Sequence, residues 1–501
     1  MSRIRTGSGS SCSTDRPARA SPRVGPAYPK PQMGSPDALS MPERLRLTVR
    51  PIGRRDPIAL FRRLQRGRWP FFLDSSLPDP ELARYSFLGS DPIGWFRSRG
   101  PNAAYATPWG ESSTNRNPLE AFGEFVDALP WATAGTPAYP FLGGPVGYFA
   151  YDLGRQMERL PDEKLSDLRL PDMHFAIYPR VYVLDRVWGE TFVIAPRARI
   201  PYEPPPIPHQ LCVPPEPHPI EPLDPDAYVH TIEEAKRAIY DGEIYQVNLS
   251  HRVALPLRGT PTAAYERLRA RTPSTFGGFL EAGDHRLLSA SPERFLCVRG
   301  RDIETRPIKG TRPRGRTPAE DERLARELLA SEKDAAENVM IVDLERNDLG
   351  KVCEFRSVHV PLLKGLRTLP NVHHLESVVR GRLRNDVTIP DLLRATFPGG
   401  SITGAPKPRA MEIIERLEPH RRGVYTGAIG YVSWDRSIDW NIAIRTATVI
   451  GETAYFAVGG GIVADSDPEA EYRETLDKLR GHEEALTQDR VEVTSDGLRV
   501  A

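Results

Sequence analysis

The stretch IAIRTATVIGETAYFAVGGGIVADSDPEAEYRETLDKLR (442–480) decides how the chain folds. IAIRTATVI (442–450) and AYFAVGGGIV (454–463) are dense in β-branched and aromatic side chains, which suit a pleated, half-buried surface, so each reads as a strand. Asp467-Pro468 then opens a helix to about residue 486, because proline in the first turn lacks only an N–H that would be unpaired there anyway. Strands followed by a helix describe an antiparallel sheet system with a helix laid on it. On that helix Glu471 and Glu474 stand three apart, hence on one face.

The same grammar runs outward. RFLCVRG (294–300) and GAIGYVSW (427–434) read as further strands, and a helix over 227–241 is capped by Asp224 or Asp226. Thr317, Pro318 and Glu320 have the spacing of a capping box, starting a helix to about 331. A further helix through 334–346 carries Asp334 and Glu337, again three apart. Over 42–200 the pattern is short strands, PFFLDSS (70–76), ARYSFLGS (83–90) and RVYVLDR (180–186), with one helix from Asn117-Pro118 to Asp127. Residues 201–226 are saturated with proline, so they read as an extended, semi-rigid join between the N-terminal region (42–200) and a catalytic region (227–486). A ligand for proline-binding domains is the sharper alternative. Residues 1–40 hold few large apolar side chains and read as a disordered extension, with Met41 as a second candidate start; residues 487–501 read as a tail.

Composition narrows the function classes. With 39% hydrophobic and 27% charged residues the chain has material for a large core, and its net charge of +1 gives no reason to expect nucleic acid. The four cysteines (Cys12, Cys212, Cys297, Cys353) form no CxxC pair, which suits free thiols in a reducing cytoplasm. No apolar run reaches the roughly 18–20 residues a membrane span needs.

Three features carry chemistry. The pairs Asp334/Glu337 and Glu471/Glu474, meeting across a cleft, would make an all-oxygen site suited to Mg²⁺. The glycine-rich segments FPGGSITGAPK (397–407) and VGGGIV (458–463) let backbone N–H groups approach an anion. Lys309 in RPIKGTR, with Glu293 upstream, becomes a nucleophile if burial or the cationic neighbours Arg306, Arg312 and Arg314 depress its pKa.

Nine strings stand in order: YQVNLS (245–250), SPERF (291–295), PIKGT (307–311), AENVMIVDLERND (336–348), VHHLES (372–377), FPGGSITGAPKPRAME (397–412), YTGAIGY (425–431), AIRTA (443–447) and EYRETLDK (471–478). As a set they closely resemble the chorismate-binding family, whose members include the anthranilate, aminodeoxychorismate, isochorismate and salicylate synthases. The resemblance covers 226–486 and extends more loosely to FLDSS, ARYSFLG and GGPVGYFAYDLGR. It implies an α+β fold, a large antiparallel β-sandwich flanked by helices. It implies Mg²⁺ held by Glu337 and Glu474, with Glu471 and Asp334 as nearby carboxylates. Chorismate would be bound by Gly310, Thr311 and Ser401 at its ring carboxylate, and by Tyr425, Arg445 and the backbone of Gly459, Gly460 and Gly461 at its enolpyruvyl carboxylate, with Gln246 a further substrate-binding residue. His374 corresponds to the family's active-site histidine, while His373 has a structural part.

Two positions discriminate within the family. Isochorismate and salicylate synthases carry a lysine where Gln246 stands, and anthranilate synthases carry alanine where Lys309 stands. The resemblance therefore points to the aminodeoxychorismate-forming branch, with Lys309 as nucleophile and Glu293 or His374 as acid. Anthranilate synthesis is the nearest alternative, and a non-catalytic chorismate- or tryptophan-binding scaffold is the alternative of another class. The implied partners are chorismate, ammonia and a glutamine amidotransferase subunit that supplies it. Asp74, Ser75, Arg84, Tyr85 and Ser86 correspond to a tryptophan pocket of relatives.

Overall fold

The computed structural model describes residues 44–77, 79, 81–132, 139–162, 164, 166–215, 224–369, 372–487, 491–494 and 497–500. The expectation for residues 1–40 lies outside them, as does the part of the proline-rich join at 216–223.

Two large antiparallel sheets make up the molecule, as expected for an α+β sandwich. In the first, Phe71–Asp74, from the N-terminal half, is hydrogen-bonded to Phe276–Glu281, which leads through Arg286–Ser291, Thr446–Ile450 and Thr453–Ile462 to Gln246–Pro256. In the second, Ile308–Pro313 and Val372–Arg382 lead inward to Ala428–Val432, which pairs with Gly144–Phe149 from the N-terminal half. Strands from both sides of the proline-rich join thus share each sheet, with Phe72 opposite Phe279 and Tyr148 opposite Ile429. The sheets meet through aromatic side chains; Phe71 of the first lies 4.4 Å from Tyr178 of the second, ring centre to ring centre. The side chains of that layer are buried, and their burial is the main source of stability for so large a sandwich.

Local signals mark the helices well. Asp224 caps Pro225–Tyr240 by accepting the Asp226 N–H, and Asn117 caps Pro118–Asp127 through the Leu119 N–H. Thr317 caps Pro318–Ala330 through the Glu320 N–H, but the Glu320 carboxylate turns to the Arg316 N–H, so the reciprocal half of the expected box is missing. The helix expected over 334–346 is longer, Glu332–Gly350, because Ser331 caps it by accepting the Asp334 N–H. The last helix, Pro468–Thr487, lies against Thr453–Ile462, and a hairpin of Val491–Thr494 with Gly497–Val500 follows where a tail was expected.

Residues 200–215 of the proline-rich stretch run extended apart from one turn at His209–Leu211, held where Trp95 Nε1 donates to the Pro205 carbonyl at 2.8 Å. Among the described residues no helix is long and apolar enough to cross a membrane, and Cys212, Cys297 and Cys353 are free.

Candidate active site

IAIRTATVI is not one strand. It divides into the end of Ile438–Ile442 and the strand Thr446–Ile450, and Arg445 sits in the break with φ +50°. A regular strand would have alternated this side chain across the sheet; the break instead presents it beside the motif residues. Arg445 forms no ion pair among the described residues. Burial holds its guanidinium below the ordinary arginine value in spite of the nearby Glu293 charge. It is a cation without a fixed counter-ion, as an anionic ligand requires.

Lys309 lies on Ile308–Pro313, one residue before a bulge. Lys309 faces Leu375 and Thr311 faces His374 on Val372–Arg382, leaving Gly310 as the extra residue at φ +79°. A Cβ on Gly310 would stand 3.0 Å from Asp334 Cβ, so both the conformation and the close approach call for glycine. The Lys309 side chain is mostly buried and its Nζ donates to Glu337 Oε1 at 2.8 Å. Burial alone would favour the neutral amine, but the carboxylates of Glu337, Glu293 and Glu474 together outweigh it, and the pKa stands above the ordinary lysine value.

This corrects the expected activation by arginines. Arg306 pairs with Glu304, Glu81 and Glu376, Arg312 with Glu327 and Asp334, and Arg314 with Asp321. Their charge is spent before it reaches the amine.

Gln246 Nε2 also donates to Glu337 Oε1, so amide and ammonium share one carboxylate oxygen. Both groups crowd the glycine strand: a Cβ on Gly461 would fall 2.3 Å from Gln246 Nε2 and 2.6 Å from Glu337 Oε1. Gly459 sits against the Leu249 carbonyl, and Gly460 against Glu471 Oε2.

Two further groups flank this centre. Glu293 is buried, and the loss of water lifts its carboxyl to about 7. The Ser401 hydroxyl lies beside it, close enough to favour the anion but outside good hydrogen-bond geometry. His374 Nδ1 is 2.8 Å from Thr311 Oγ1, its Nε2 has no hydrogen-bond partner among the described residues, and burial lowers the ring to about 3, so it is neutral at physiological pH. His373 is tied between Thr368 and Asp321 at 2.9 Å each, a structural arrangement. Tyr425 is buried with its hydroxyl toward Ser250, and no contact joins it to Arg445.

The four carboxylates are each engaged. Glu337 takes Lys309, Glu474 takes Lys478 at 2.8 Å, Glu471 takes the Ser466 hydroxyl at 2.7 Å and Lys333 at 3.3 Å, and Asp334 takes Arg312 at 3.3 Å. Among the described residues no three acidic, histidine or cysteine side chains are gathered as a ready metal cage. The donor set still fits a hard divalent cation: it is all carboxylate oxygen, and Glu337 and Glu474 lie within each other's field. Lys333 and Lys478 were not singled out from sequence. Lys478, four residues after Glu474, carried a visible signal, and it also donates to the Gly459 carbonyl at 2.8 Å.

Away from this centre, Asp74, Ser75, Arg84 and Tyr85 line a cavity of about 330 Å³ with Leu73 and Phe87. Ser86 sits beneath, donating to Asp74 at 3.3 Å, and Arg84 pairs with Asp185 at 2.7 Å.

Residues 84–482 match the family model described as chorismate binding enzyme. The chain belongs to that family. It is 40% identical over 419 residues to aminodeoxychorismate synthase component 1 of Salmonella typhimurium, covering 82% of this chain and 91% of that one. It is 39% identical over 439 residues to anthranilate synthase component 1 of Thermus thermophilus, covering 85% and 94%. Among solved structures, anthranilate synthase component I from Streptococcus pneumoniae superposes with a TM-score of 0.69 at 31% identity, over 81% of this chain and 94% of that chain. Overall identity does not separate the two activities found among these family members; the residues of the cleft must.

Proposed function

We infer that this protein is the chorismate-converting component of an aminodeoxychorismate synthase, making 4-amino-4-deoxychorismate from chorismate and ammonia on the way to 4-aminobenzoate and folate. One observation carries the reading: a lysine, Lys309, stands inside the cleft against Glu337, at the position where the resemblance gives anthranilate synthases an alanine.

The residues divide the work. Lys309 Nζ, once its extra proton has passed to water, adds to C2 of the ring as the C4 hydroxyl leaves and the ring double bonds shift. Glu293 supplies the proton that hydroxyl needs, since a carboxyl near 7 is still largely protonated at neutral pH. His374, neutral at that pH, is a hydrogen-bonding group and not the acid. Ammonia then bonds to C4, the double bonds shift back, and the C2–nitrogen bond to Lys309 breaks with the pyruvyl ether intact. Arg445 offers a guanidinium fork for the enolpyruvyl carboxylate. Glu337 and Glu474 would hold a magnesium ion, with Glu471 and Asp334 behind them; when bound it neutralises the ring carboxylate.

The relatives' designation as component 1 supports a second component, which we take to be a glutamine amidotransferase that delivers ammonia. The free thiols suit a cytoplasmic setting. The cavity at Asp74 and Arg84, lined by aromatic and charged side chains alike, would take an aromatic amino acid such as tryptophan.

Product analysis tests the assignment. With chorismate, Mg²⁺ and ammonium, 4-amino-4-deoxychorismate is expected with no release of pyruvate. Fluorescent anthranilate with stoichiometric pyruvate would assign the other branch, and no turnover would leave a binding scaffold.

A further inference from the structure

The strand Gln246–Pro256 runs on from the cleft to His251, a residue with no part in the chemistry above. His251 is 6% exposed. Its Nε2 lies 2.8 Å from Thr475 Oγ1, and that hydroxyl donates to the Tyr472 carbonyl at 2.7 Å. A hydroxyl has one proton, so both contacts are satisfied together only if His251 Nε2 carries the imidazole hydrogen. Nδ1 is then a bare lone pair, and it has no hydrogen-bond partner among the described residues. Burial lowers the ring to about 4, which keeps it a neutral acceptor at physiological pH. Folded proteins seldom leave such a group unanswered.

His251 lines a cavity of about 10 Å³ with Ser250, Glu418, Arg422 and Tyr425. That is room for one molecule the size of water. The charges around it are paired: Glu418 accepts the Ser250 N–H and hydroxyl at 2.8 Å each and pairs with Arg422 at 2.8 Å, while Arg252 and Arg421, also on its lining, pair with Asp167 and Asp162. Each of these charged groups has an opposite partner, and His251 Nδ1 gives a neutral small donor an acceptor. Tyr425, one wall of this cavity, is also among the residues that the resemblance assigns to chorismate.

We propose that this cavity is a holding site for one ammonia molecule, which donates a hydrogen bond to His251 Nδ1 beside Tyr425 before it attacks the substrate. The proposal rests on the ammonia-using reaction inferred above. Water would satisfy the same acceptor, and the test separates the two.

Steady-state rates with ammonium chloride are compared for the wild type, His251→Gln and His251→Asn. The glutamine variant keeps a polar end for Thr475 and loses the Nδ1 acceptor, whereas asparagine places an amide oxygen near the Nδ1 position. His251→Gln is expected to raise the KM for ammonium about tenfold, with the KM for chorismate within twofold of wild type and His251→Asn recovering most of the loss. An unchanged ammonium KM in His251→Gln would reduce the cavity to a structural water site. A parallel rise of both KM values with a fall in melting temperature would mark a packing role, and either result overturns the proposal. Because the ammonium KM reads this site whichever amino product forms, a wild type that makes anthranilate defeats the functional assignment without defeating the cavity. A wild type inert with ammonium defeats both.

Discussion

Glu293 and Glu337 share a cleft yet are driven in opposite directions. Loss of water lifts Glu293 to about 7, while the lysine beside Glu337 outweighs burial and holds that carboxyl below its usual range. Pairs of titratable groups pushed apart in this way divide into proton donor and anionic anchor. An acid must carry its proton, so kcat at saturating ammonia is expected to fall as pH rises through about 7. Glu293→Gln is expected to slow turnover by roughly 10²- to 10⁴-fold and to abolish that alkaline limb; a wild-type pH profile in the variant would remove Glu293 from the acid's role. At this scale Lys309, Glu293 and Gln246 were legible because each stands in a motif string. The true neighbours of Lys309 were not. Arg306, Arg312 and Arg314 are close in sequence; Glu304 stands two residues from Arg306, but the further partners Glu81, Glu327 and Asp321 come from 225, 15 and 7 residues away and are brought up by the fold.

Helix boundaries were readable because caps and first-turn prolines act over three or four residues. The bulge at Gly310 and the break at Arg445 were not, because each exists only relative to a partner strand. These two irregularities place the working side chains: one sets Lys309 against Glu337, and the other brings Arg445 toward the field of Glu293. The glycine strand between them tolerates no side chain on its crowded face. Gly461→Ala is expected to push Gln246 and Glu337 apart, since the added carbon would lie within 2.6 Å of both. The variant should keep its circular dichroism spectrum and lose at least about a hundredfold in kcat/KM, on the scale of an ångström-sized misplacement. Wild-type kinetics in Gly461→Ala would show that this crowding has no bearing on catalysis.

Across the whole molecule, the resemblance indicated a sandwich, but the sharing of strands between the two halves was not legible. Pairings such as Phe72 with Phe279 span about half the described chain, and no local pattern encodes them. The consequence for function is rigidity, because Lys309 lies on a strand, and Glu293 and Arg445 in the breaks between strands, of sheets completed from both halves. Such a frame can hold one amine against a ring long enough for a bond to form. Mass spectrometry of the intact protein, quenched after mixing with chorismate and Mg²⁺ in the absence of ammonia, tests that bond most directly. The account predicts a mass gain of chorismate less one water, mapped to the Lys309 peptide and absent from Lys309→Ala, which should also lose amination. No adduct on the wild type, together with undiminished amination by Lys309→Ala, would contradict it.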